Sequence, residues 1–142
     1  MNMSKQKIYL AISGIILLLV GAFIGFVPAA YLGQFNLDNG VPIELFSELR
    51  GMGGSLFVFG IFIFIGAFYQ QFEKYALVIS ALTFSAFSIF RLLGILFDGL
   101  PSEGIIVALI IEVSLALVAI YLLRQEFSAN SRLSHQALNI AG

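Results

Sequence analysis

The chain has 142 residues, of which 60% are hydrophobic and 11% charged, with a mean hydropathy of +1.02, so it is one domain long and too poor in polar side chains to cover a water-soluble fold. A formal net charge of −1, with no basic block beyond Lys5 and Lys7, excludes the field that draws a protein onto nucleic acid. The absence of Cys excludes disulfides, thiolate metal sites, iron–sulfur clusters and cysteine nucleophiles, and a single histidine, His135, offers no metal site, so no cofactor, metal or catalytic residue is expected.

A helix crossing a hydrocarbon core of about 30 Å needs about 20 mainly apolar residues, and four runs qualify. The first covers residues 8–27, after Lys5 and Lys7, and stops at Pro28, which disfavours helical geometry in the residue before it. A signal peptide shares the basic start and the small residues Ala29 and Ala30, but this apolar stretch exceeds the usual length of about 7–15 residues. A loop rich in turn chemistry follows, with Asn36, Asp38-Asn39-Gly40 and Pro42, and a short interfacial piece is expected around residues 30–35. The second span reads 47–69, with Ser47 as its cap, and Gln70, Gln71, Glu73 and Lys74 read as a tight polar turn. The third span reads 75–97, and the turn from Asp98 through Pro101 to Gly104 leads to a fourth at 105–123. Residues 125–142 are polar and lack apolar periodicity, which predicts a tail or short surface helix beyond a membrane domain of residues 1–124.

Basic residues near span ends stay on the cytoplasmic side. With the N-terminus inside, Lys5, Lys7, Lys74, Arg124 and Arg132 are cytoplasmic, while Asp38, Glu44, Glu48, Asp98 and Glu103 gather outside with Arg50. The expected fold is therefore all-α, an integral membrane four-helix bundle running up-down-up-down with both termini cytoplasmic. Tyr9, Tyr31, Tyr69, Tyr75 and Tyr121 fall near span ends and, with no Trp present, are the expected interfacial anchors.

Ser13, Ser55, Ser80, Thr83, Ser85 and Ser88 can bond to carbonyls of their own helices and demand no function. Charges differ, since one left unpaired near the bilayer centre costs about 2.5–3.5 kcal/mol on insertion scales. Arg91 lies six residues before the end of the third span and Glu112 seven after the start of the fourth, which puts both roughly 10 Å below the outer surface and within reach of an ion pair. Arg91 and Asp98 share one helix face, as do Glu48, Met52 and Ser55. If these faces converge, Glu48, Arg50, Arg91, Asp98 and Glu112 form one charged cluster. Such a cluster either clamps the helices together and binds nothing, or lines a cavity that takes a polar head or carries protons. Gly21 and Gly25, with Gly51, Gly53, Gly54 and Ser55, make surfaces for close helix packing, within the bundle or in a homo-oligomer. Phe57, Phe59, Phe62, Phe64 and Phe68 surround the second span and suit contact with lipid and neighbouring helices better than framing a cofactor.

The Pro28 turn, Ser47-Glu48-Leu49-Arg50 followed by glycines, Arg91-Leu92-Leu93, Asp98-Gly99-Leu100-Pro101-Ser102 and Glu112 together resemble a bacterial family of short four-span membrane proteins, domain of unknown function 4345, itself reminiscent of DoxX-like membrane proteins. The resemblance covers residues 21–124 and departs from the family where Gly53 stands in place of a common aromatic residue. It implies the four-span fold and the charged positions, and no reaction.

These features suit a noncatalytic protein of the bacterial inner membrane, binding a lipid, quinone or similar amphipathic molecule, or serving as an accessory subunit of a membrane complex. A proton-coupled small transporter acting as an oligomer is the alternative, with Glu112 and Asp98 as relay carboxylates beside Arg91. Against it stands the lack of repeated halves with broken helices. An enzyme has the least support, because neither a His cluster nor a phosphate-binding glycine loop is present.

Overall fold

The computed structural model describes residues 4–37 and 40–141, with side chains described as far as Glu126; Asp38, Asn39 and the side chains of Arg132 and His135 therefore lie outside the described residues. Every regular element among them is helical: α1 Lys5–Phe26, α2 Pro28–Gly33, α3 Ile43–Gly66, α4 Gln70–Asp98 and α5 Glu103–Ala141. Four stretches are long and apolar enough to cross a membrane, namely α1, α3, α4 and Glu103–Glu126 of α5.

Local chemistry explains the boundaries. Ser4 caps α1 by accepting from the Lys7 backbone N–H at 3.3 Å. Val27 leaves helical geometry before Pro28, which then opens α2 at a position where its missing N–H costs nothing. The chain turns out of α2 through Asn36, at φ 57°, a left-handed conformation that asparagine tolerates. Helix α3 begins at Ile43, directly after an extended Pro42, so Ser47 lies inside the helix instead of capping it. Glu44 in the first turn complements the positive end of that helix.

The expected turn at Gln70–Lys74 is displaced. The chain turns through the apolar residues 67–69, and Gln70, Gln71, Glu73 and Lys74 form the first turn of α4. The edge-on ring pair Phe62–Phe72, with centroids 5.9 Å apart, fastens the two helices across this turn, and Glu73 folds inward to become buried. Gly99, at φ 95°, ends α4. Between Ile105 and Ala141 neither Pro nor Gly interrupts the helix, and the polar segment expected as a tail continues α5.

Helices α1 and α3 run antiparallel and form the most extensive interface. A Cβ on Gly14 would lie 2.6 Å from Phe64 N, one on Gly60 2.7 Å from Leu18 Cα, and one on Gly21 2.8 Å from Gly53 O, so backbone meets backbone along the whole seam. Gly51 and Gly54, one step off that seam, have nothing within 4 Å. Helix α4 packs on α3 and α5, whereas α1 and α5 touch little.

Tyr9 ties α1 to both α4 and α5 through a polar contact. Its hydroxyl donates to Leu115 O at 3.0 Å and sits 2.6 Å from Ser80 Oγ, which then supplies the other proton. Tyr9 is buried, so the expectation of an interfacial anchor is corrected: the ring fills the core and its hydroxyl satisfies a polar contact inside an apolar bundle. Tyr69, Tyr75 and Tyr121 are exposed. The outside of the bundle carries large apolar side chains such as Leu82, Phe90, Leu96 and Phe97, a surface suited to hydrocarbon.

Candidate functional site

Pinned by Tyr9 near one end, the bundle opens toward the other, where α2 and the α4–α5 turn lie. Two neighbouring cavities occupy this half. The first, about 390 Å³, has walls from Leu17, Ile24, Leu56, Phe84, Phe87 and Ile111, and its polar lining comes chiefly from Arg91 and Glu112. The second, about 550 Å³, lies toward the turns and is lined by Gln34, Ser102 and Glu103 together with Phe23, Phe35 and Arg91. They share Val20, Ile24, Tyr31, Arg91 and Ala108, so an apolar chamber and a more polar mouth meet at the guanidinium.

Each wall follows from its helix. On α4, Phe84, Phe87 and Arg91 recur at three- and four-residue spacing and share one face. On α5 the same spacing aligns Ala108, Ile111 and Glu112. Arg91 Nε donates to Glu112 Oε2 at 2.8 Å, and the Phe87 ring lies 5.8 Å from Arg91 Cζ. With 24% and 13% of the two side chains exposed, the ion pair is not buried; it forms part of a cavity wall, and this corrects the buried pair expected from depth alone. Nε is the only Arg91 nitrogen that bonds to another described residue, and the Arg91 side chain lines both cavities.

The other expected site residues do not join the pair. Arg50 turns to the end of α1 and donates from Nη1 to Gly25 O at 3.0 Å, satisfying one of the last carbonyls of a helix that ends at Phe26. Glu48 and Asp98 are exposed and make neither a hydrogen bond nor an ion pair with any described residue. Asp98 shares a face with Arg91, but it is the last residue of α4 and its side chain is exposed. Met52 does reach the apolar chamber, while Ser55 bonds back to Gly51 O at 2.9 Å.

Sequence reasoning missed Tyr31, Gln34, Ser102 and Glu103. They lie in or just after α2 and around the start of α5, where polar residues serve turn and cap chemistry often enough that nothing in the pattern marks them as cavity lining. Tyr31 is held edge-on by Phe23 and Phe35, with centroids 6.2 and 5.3 Å away, so α2 lies over the mouth as an ordered aromatic rim. Among the described residues no group of three potential metal ligands comes together.

This arrangement of four long apolar helices defines a small helical protein suited to the membrane. The chain belongs to the family described as Domain of unknown function (DUF4345), which it matches over residues 5–123, and so across all four apolar stretches. No protein of curated function and no solved structure matches the chain.

Proposed function

We propose that this protein is a noncatalytic, multi-pass component of the bacterial inner membrane that holds an amphipathic molecule, a lipid or a quinone-like compound, in the half of the bundle containing Arg91 and Glu112. One observation supports the reading: an apolar chamber of about 390 Å³, within the range of small-molecule sites, is bounded by a guanidinium whose terminal nitrogens have no partner among the described residues. A clamp that bound nothing would be expected to fill this space with side chains and to use more than one nitrogen of the arginine. Placing basic ends inside puts the mouth toward the outer leaflet.

The test is the lipid and quinone content of detergent-purified protein by mass spectrometry, for wild type, Arg91→Gln and Glu112→Gln. A molecule retained by wild type and lost from both variants, with helical content unchanged by circular dichroism, is the expected result. Unchanged content in both variants would sink the proposal.

A further inference from the structure

Resting on that reading, the order of charges along the two cavities restricts the polar end of the ligand. Starting from the apolar chamber, a molecule meets first the Arg91–Glu112 pair and then, in the mouth, Gln34, Ser102 and Glu103. The lining holds one basic side chain, Arg91, and two acidic ones, Glu112 and Glu103, a formal charge balance of −1. An anionic head would deepen that imbalance. A zwitterion leaves it unchanged and can place each of its charges against an opposite one.

We propose that the site takes a zwitterionic aminophospholipid, with acyl chain in the apolar chamber, phosphate on the terminal nitrogens of Arg91, and ammonium in the mouth beside Glu103. In such a lipid the phosphate is nearer the acyl chains and the amine is distal, the same order in which arginine and glutamate are met from the chamber outward. Arginine suits the inner position because its terminal nitrogens bind phosphate in parallel while Nε keeps its bond to Glu112. The aromatic rim of Phe23, Tyr31 and Phe35 lines or borders the same mouth and favours a cation there through its ring faces. Glu103 stands in the first turn of α5 and already answers the positive end of that helix, which lessens the pull of the turn on a second anion.

The experiment offers delipidated full-length protein an equimolar mixture of phosphatidylethanolamine, phosphatidylglycerol and diacylglycerol with identical acyl chains, and reads the retained species by native mass spectrometry. Wild type should favour phosphatidylethanolamine over phosphatidylglycerol. Glu103→Gln, on an exposed residue whose loss leaves the bundle folded, should reduce that preference roughly three- to fivefold, the worth of a solvent-accessible ion pair. Arg91→Gln should lose both phospholipids relative to diacylglycerol. Equal or greater retention of phosphatidylglycerol by wild type, or a preference indifferent to Glu103→Gln, overturns the zwitterion assignment while leaving an amphipath site standing. Retention of none of the three by wild type overturns the site as well.

Discussion

Gly53 and Gly54 are neighbours in sequence and should respond oppositely to alanine. A Cβ on Gly53 would stand 2.6 Å from Gly25 Cα and 2.8 Å from Gly21 O. Ordinary carbon contacts begin near 3.5 Å, so α1 and α3 would have to separate by about 1 Å, and neither obstacle is a side chain that can swing aside. Because Gly14, Gly21, Gly25 and Gly60 hold the same seam closed, the separation loosens contacts along its length. Overpacking of this kind costs about 1–3 kcal/mol. A Cβ on Gly54 meets nothing within 4 Å, and alanine there gains helix propensity of up to about 1 kcal/mol. Reversible unfolding in mixed detergent micelles, followed by circular dichroism, should therefore show Gly53→Ala destabilised and Gly54→Ala unchanged or stabilised. Equal responses from the two variants would refute the seam as the source of α1–α3 packing.

Two further perturbations address the polar contacts in the same unfolding assay. Replacing Arg91 or Glu112 singly by Leu strands a charge on the cavity wall and should cost about 1–3 kcal/mol, less than for a fully buried pair because both side chains retain some exposure. The double variant should be more stable than the summed losses predict by about 1–2 kcal/mol, whereas additivity within about 0.5 kcal/mol would show that the pair is not coupled. Tyr9→Phe removes the hydroxyl that links Ser80 and Leu115 O, at a cost of about 1 kcal/mol. Adding Ser80→Ala to Tyr9→Phe should cost little more, and a full additional loss would mean that Ser80 acts through some other partner.

The membrane-length helices are legible in the sequence because stretches of 18 or more mainly apolar residues with few charges have few alternatives, and the turn chemistry at Pro28, Gly99 and Pro101 brackets them. Their exact edges are not, since Gln70 and Gln71 look the same to a hydropathy scale whether they form a turn or open a helix. The buried role of Tyr9 escaped for a related reason: α1 is apolar on every side, so no amphipathic stripe tells which face turns inward. Depth arithmetic brings Arg91 and Glu112 to one level, because rise per residue is a property of the helix alone. That Arg50 is spent on Gly25 O, and that Glu48 and Asp98 stay apart, depends on helix rotation and on a carbonyl left free where α1 ends, neither of which the residue spacing encodes. The cavities arise from the weak contact of α1 with α5, a packing outcome invisible in either helix alone.

The central claim is that the space beside Arg91 holds an acyl chain, and photocrosslinking tests it directly. Membranes containing the protein would receive aminophospholipid and its anionic counterpart in equal amounts, each with a diazirine on the acyl chain, and the adducts would be mapped by peptide mass spectrometry. Adducts should concentrate on chamber residues such as Leu56, Phe87 and Ala108, and be depleted there in Arg91→Gln. Adducts confined to outward residues such as Leu82 and Leu96, in the same pattern with and without Arg91, would contradict it.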